Sequence, residues 1–367
     1  MKTFWLTLCL ASSLTLAQAQ NDTQVYKEKQ PYKNWVKMVP KLKAEFYGTA
    51  ESIRIGENLL LYQQTTGGWP KNIFFPAELD ADEREEVLAA KDDVNETTID
   101  NGATSTEMLY LARLYNATGD VRYRDAVIRG FSYLFEAQYD NGGWPQFYPR
   151  PTGYYTHITY NDDAMINVMK LLQGAIRGDA PFGFLDEEVK ARARQALDKG
   201  VECILNTQVV LDGKLTVWCA QHDEHTLAPA KARAYELPSL SGSESDGIVL
   251  FLMSLPNPSE RVKASVEAAI EWFRNSQITN LRREQFTNTD GKPDYRMVPC
   301  QPGEAPALWA RFYTLEENRP FVCDRDGIKR FDVSEIGYER RNGYSWYNTG
   351  GNAVLKRYKQ WKQEQAQ

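Results

Sequence analysis

Asp100 in TIDNGAT, Asp162 in YNDDAM and Arg233 in KARAYELPS each stand in a loop just before an apolar helical run. Carboxylates with amide neighbours such as Asn101, and without His or Cys beside them, suit a hard cation with oxygen ligands. That means Ca²⁺ more than a transition metal. Asp163, next to Asp162, is either a second ligand or a helix cap, since Asp is a preferred capping residue. For each aspartate alone the cap is an equally good reading; two on successive loops shift the balance toward chemistry. Guanidinium groups grip carboxylates in bidentate fashion, so Arg233 together with Arg311 (LWARFY) and Arg325 (CDRDG) points to an acidic ligand. Lys71 is a further candidate for binding an acidic sugar. Trp144 and Tyr344 could pave a cleft for sugar rings, with core packing as the alternative. His157 lies near Asp162, but a lone His reads as structural.

The elements that must position these residues are helical. GGWP occurs at 67–70 and again at 142–145, each time just after an apolar helical run, where Gly-Gly permits a turn and Pro ends the helix. Aligning on that motif sets Gln63 opposite Gln138, and similar helix ends follow at Gln208 and Gln277, at intervals of 75, 70 and 69 residues. Each interval holds two helices. AMINVMKLLQGAI and GIVLFLMSL are apolar nearly all round, the mark of buried helices, whereas EEVKARARQALDKGVECILNTQ and ERVKASVEAAIEWFRNS carry one apolar stripe. Inner and outer helices alternating at this period predict an all-α fold, an (α/α)₃ toroid of helical hairpins with long loops and a few short strands. Asp100, Asp162 and Arg233 then fall on equivalent loops and gather at one mouth of the toroid.

The rest of the chain narrows the partners. Residues 1–19 read as a cleavable secretory leader: Lys2, a short apolar run and a small-x-small site at Ala17–Ala19. The expectation is therefore a secreted or periplasmic protein, with 20–367 forming a single catalytic domain. The formal net charge of −6, or −7 without Lys2, argues against nucleic acid or an anionic membrane as partner. No later apolar run is long enough to span a bilayer. Three histidines and no CxxC or HExxH make a zinc site a poor reading. Spacing does not assign a disulfide among Cys203, Cys219, Cys300 and Cys323.

Taken in order, GGWPKN, IDNGAT, NGGWPQFYP, YNDDAM, RAYELPSLSGSES and ALWARFY…FVCDRDG resemble the polysaccharide lyase family 10 pectate lyases over nearly the whole mature chain. The resemblance implies an (α/α)₃ catalytic domain that cleaves polygalacturonate by Ca²⁺-assisted β-elimination; the expected state is a monomer. It carries over Asp100 and Asp162 to the calcium and substrate-carboxylate site, Arg233 to the catalytic base, and Arg311 and Arg325 to galacturonate carboxylates. An arginine base implies alkaline conditions, because free guanidine is scarce near neutrality. Two rivals stay open from the residues. One is an inverting glycoside hydrolase using Asp100 and Asp162 as acid and base; the other is a non-catalytic pectin-binding protein. A terpene cyclase toroid lacks its Asp-rich motif here.

Overall fold

The computed structural model describes residues 32–150, 152–178 and 180–365, so the leader expected at 1–19 lies outside the described residues. Helices α1 (Tyr32–Met38), α2 (Ala50–Tyr62) and α3 (Ala81–Ala89) precede three hairpins. The hairpins pair α4 (Ser105–Thr118) with α5 (Val121–Ala137), α6 (Ala164–Arg177) with α7 (Glu187–Thr207), and α8 (Glu244–Leu252) with α9 (Glu260–Asn275). After α10 (Tyr338–Asn342), the last helix, α11 (Gly350–Gln365), packs on α8 and α9. Contacts run α2–α5–α7–α9 around the outside and α4–α6–α8–α11 around the inside, the expected toroid of hairpins.

Outer helices are specified locally. Side-chain oxygens of Thr49, Asp120, Asp186 and Ser259 accept backbone N–H bonds at the starts of α2, α5, α7 and α9. Each such cap contributes about 1 kcal/mol. In α5 the buried Tyr123, Ala126, Val127, Gly130, Phe131 and Leu134 follow helical spacing and turn one face to the inner ring. A Cβ on Gly130 would stand 2.7 Å from Met108 Sδ, and one on Gly200 2.4 Å from Met169 Sδ, so glycine lets outer and inner helices touch.

The repeated turn closes each outer helix. Trp69 donates its indole N–H to Leu59 O, Trp144 to Leu134 O, Trp218 to Ile204 O and Trp309 to Phe273 O, at 2.7–2.9 Å. Each acceptor is a carbonyl of the last helical turn, where intrahelical partners run out; Leu59 O also accepts the Gln63 N–H, and Ile204 O the Thr207 hydroxyl. Gln63, Gln138 and Gln208 then use Nε2 to tie the following loop to the next outer helix, through Ala126 O, Ala196 O and Ser265 O respectively. The tryptophan carbonyls of the first three units accept the N–H of Thr98, Thr159 and Ser241, which lead into the inner helices. One apolar core runs through the ring from Trp35 to Trp361. A second cluster, built on Tyr235, Phe312, Phe321 and Trp346, supports the cap of short strands. That cap includes a feature without a helical signal: a hairpin of two seven-residue strands, Leu281–Thr287 and Pro293–Pro299.

Candidate active site

Inner helices begin differently from outer ones. Thr104, Asp163 and Ser243, at the N-cap positions of α4, α6 and α8, make no side-chain capping bond. Instead, 3₁₀ turns at Asp100–Gly102 and Asn161–Asp163 precede α4 and α6 and pack against each other. Asn101 (φ 54°, ψ 27°) and Asp162 (φ 52°, ψ 35°) both take the left-handed conformation that Asn and Asp tolerate better than most residues. By turn geometry Asp100 therefore matches Asn161, and Asn101 matches Asp162. The sequence reading set the two aspartates on equivalent positions; they are one residue out of step, and each turn carries one carboxylate and one amide.

Neither aspartate caps a helix, so both carboxylates are free for other work. Asp100 is nearly enclosed, with 4% of its side chain exposed, and its Oδ2 accepts a bond from Lys71 Nζ at 2.5 Å. Its Oδ1 is buried and has no hydrogen-bond partner. Asp162 is 44% exposed; Asn161 Nδ2 donates to its Oδ2 at 2.9 Å, and Arg311 Nη2 approaches its Oδ1 at 3.5 Å. The buried Arg311 also donates to Asn161 Oδ1 at 3.0 Å and to Glu244. Burial pushes the Glu244 carboxyl up, against the opposing charge of Arg311.

Across the cleft Arg233 binds Glu236 through Nε at 2.7 Å and through Nη2, and its backbone N–H donates to the same carboxylate. Tyr344 donates to Glu236 Oε1 at 2.8 Å. Burial disfavours the Arg233 cation, but Glu236 outweighs it and holds the guanidinium protonated above its usual range. Two rings order the arginines: Arg233, Arg325 and Arg340 lie over Tyr235, and Arg233, Arg311 and Arg340 over Tyr344, with centroid distances from 4.2 to 5.9 Å. Arg325 and Arg340 both approach Glu339 at 3.2 Å.

One cleft of about 910 Å³ collects these groups. Lys71, Asp100, Asn101, Asp162, Arg233, Arg311, Arg325 and Tyr344 all line it. Two expected site residues do not. Trp144 is fully buried, its indole consumed by Leu134 O, and so it is a packing residue and no sugar platform. Asp163 points away from the cleft: its Oδ1 lies where a Cβ on Gly247 would be, and burial and the Asp162 charge raise its pKa. Glu236, Glu244, Arg340 and Arg283 went unmarked in the sequence reading. Glu236 sits three residues after Arg233 inside the RAYELPS stretch, and that spacing was the available signal.

The lining comprises seven Lys or Arg side chains and four carboxylates, so the cleft is cationic in an acidic protein. The buried, unpartnered Oδ1 of Asp100 is the sort of atom a hard cation satisfies, and Asp162, Asn101 and Asn161 line the same cleft with further side-chain oxygens. These residues therefore fit Ca²⁺. A second group, His157, Asp223 and Glu224, offers ligand atoms within 4.8 Å of one another, outside the cleft. Its donors are engaged: His157 bonds Glu224 at 2.9 Å, and Asp223 Oδ1 accepts from His225 and Thr226 in its own turn. The four cysteines of the described residues are unpaired.

The family model for pectic acid lyase matches residues 63–355. Two solved structures of the family 10 polysaccharide lyase from Cellvibrio cellulosa, one a mutant in complex with trigalacturonic acid, superpose with a TM-score of 0.74 at 35% identity. The alignments cover 90% of this chain and 97% and 96% of those chains. No curated protein matches.

Proposed function

The chain belongs to the pectic acid lyase family and is a polysaccharide lyase, and from that premise we propose that it cleaves α-1,4-polygalacturonate by calcium-assisted β-elimination, leaving 4,5-unsaturated oligogalacturonates. The observation that carries this reading is the meeting of Asp100 and Asp162 with Arg233, Arg311 and Arg325 in one cationic cleft. The neighbouring structure that binds trigalacturonic acid supports an acidic sugar as the ligand.

The C5 proton of a galacturonate lies α to a carboxylate, and its removal adds charge to that group. Ca²⁺ bound at Asp100 and Asp162 would supply a Lewis acid for this carboxylate. Arg311 and Arg325 would orient uronate carboxylates through paired N–H donors, while Lys71 adds positive charge beside Asp100. Arg233 accepts the C5 proton, the C5–H electron pair becomes the C4=C5 double bond as the C4–O4 bond breaks, and the departing oxygen takes up a proton from solvent. Glu236 opposes that step by holding the guanidinium protonated. The neutral base therefore forms only as Glu236 lets go or as pH rises, so activity should climb on the alkaline side. A hydrolase reading is weaker. Asp100 is bonded to an ammonium and Asp162 to a guanidinium, whereas a glycosidase acid sits protonated in an apolar pocket.

We read the leader at 1–19 as placing the enzyme outside the cytoplasm, where a polymer of this size can reach it. Among the described residues no helix is long and apolar enough to cross a membrane. The test is polygalacturonate with Ca²⁺ or with EDTA. An ultraviolet-absorbing unsaturated end that EDTA abolishes supports the reading; saturated products formed in EDTA would overturn it.

A further inference from the structure

The cleft does not stop at Arg340. A groove of about 330 Å³ continues from it along the Leu281–Thr287/Pro293–Pro299 hairpin, and Arg283 and Asn342 line both spaces. Alternation along the strand sets Arg283, Gln285 and Thr287 on one face, and all three line the groove. Glu284 belongs to the opposite face, where Arg296 bonds it at 2.6 Å. Arg283 is exposed, lies 3.9 Å over the ring of the buried Tyr295, and makes no ion pair among the described residues. Most other cations of the cleft differ: Lys71, Arg233, Arg311, Arg325 and Arg340 each already face a carboxylate, and of the six besides Arg283 only Lys33 makes no ion pair among the described residues.

The groove is also held in place. Arg341 binds Asp294 through two bonds, Nε to Oδ1 at 2.8 Å and Nη2 to Oδ2 at 2.7 Å. Asn342 adds a bond to the same carboxylate at 2.9 Å, and Tyr338 donates to Pro293 O at 3.0 Å. Those bonds hold the Asp294 carboxyl well below the usual range. They also neutralise the carboxylate that lines the groove, which would otherwise repel an anion. What faces the groove is a stacked, unpaired guanidinium followed by an amide and a hydroxyl, with Phe286 and Pro293 as its apolar border.

We propose that this hairpin groove is an outer subsite for a uronate residue of the same polysaccharide, with Arg283 binding its carboxylate and Gln285 its hydroxyls. The inference deepens the polygalacturonate reading and rests on it. A stacked guanidinium retains its in-plane N–H donors, so Tyr295 orients the fork without consuming it. Its volume of about 330 Å³ sits at the lower end of small-ligand sites, enough for one sugar beyond those in the main cleft.

The experiment compares trimeric and hexameric galacturonate on the full chain. Affinities are measured by calorimetry in an Arg233→Lys background with Ca²⁺, and KM and kcat in the otherwise native enzyme. Arg283→Ala should weaken hexamer binding about tenfold and trimer binding less than twofold. Arg283→Lys should recover most of the hexamer affinity, and Gln285→Ala should lose about threefold on the hexamer alone. Unchanged hexamer affinity in Arg283→Ala, or an equal loss for both lengths, would overturn the subsite. Failure of the lyase reading looks different: the native enzyme then forms no unsaturated product from any length, while the affinities still report on the groove.

Discussion

The two ends of the outer-to-inner connection are built on different principles. Where an outer helix closes, the same device recurs, a buried Trp bonded to a terminal carbonyl and a Gln forked between two backbones. Where an inner helix opens, regularity stops: caps are missing, left-handed non-glycine residues appear, and charged groups gather. Repeated turns contribute stability without chemistry. The irregular turns give up capping bonds, and their carboxylates stay open to a ligand. Mutations on the two sides should therefore separate activity from stability.

The largest effect belongs to Arg233. Arg233→Lys keeps the charge but loses the planar fork that Glu236 orients, and we expect turnover to fall by about 10²–10⁴, the usual worth of a positioned acid or base. Oligogalacturonate affinity should stay within a few-fold by calorimetry. If binding collapses alongside turnover, Arg233 is a binder and the base lies elsewhere. Asp100→Asn comes next. It removes the charge around the unpartnered Oδ1, and cation affinity, read by calcium titration of activity, should weaken at least 10–100-fold by analogy with weaker perturbations of metal sites. Melting temperature should barely move.

Gln138→Ala is the reverse case. Its Nε2 donates to Gly142 O and Ala196 O, and at about 1 kcal/mol per bond the variant should lose roughly 2 kcal/mol of stability. Denaturant unfolding would show this loss, while activity per folded molecule stays native. Trp144→Phe should behave alike, leaving Leu134 O unpaired. A selective fall in kcat for Trp144→Phe would return the indole to the cleft.

The same contrast explains what could be read from the sequence. Gln63, Gln138 and Gln208 recur with a period and a motif, and periodicity survives without coordinates. Hence the alternating helices and the common mouth of Asp100, Asp162 and Arg233 were legible. The repeat did not give registry inside the turns, because the one-residue offset between Asp100 and Asp162 comes from Asn101 and Asp162 sharing a left-handed backbone. Trp144 misled because an aromatic after Gly-Gly reads alike whether it faces a ligand or a helix end. The arginine wall was half visible: Arg311 and Arg325 stood out in LWARFY and CDRDG, and the family motifs gave them a role. Glu244 is placed by Arg311, Glu339 by Arg325 and Arg340 by stacking on Tyr235, all contacts between separate segments that spacing does not encode.

A smaller effect probes the ground beneath the irregular turns. Glu107 is buried in α4; Trp35 donates its indole N–H to Oε1 at 2.8 Å, and Oε2 has no partner. Burial pushes its carboxyl up to about 7, against the Trp35 bond that favours the anion. The folded protein thus holds this proton more tightly than the unfolded chain, whose carboxyl titrates near its ordinary value. Its contribution is complete below that ordinary value and is lost as pH rises through about 7. Glu107→Gln keeps an acceptor for Trp35 and does not ionise. Its melting temperature relative to native should therefore be near parity at pH 4 and a few degrees higher at pH 8, by scanning calorimetry. Because Asn101, Lys71 and Glu107 line one small cavity behind the Asp100 turn, a parallel change in calcium affinity would show that the turn's charge balance reaches this carboxyl. Stability that shifts alone would leave Glu107 on the side of the fold that only holds the site up.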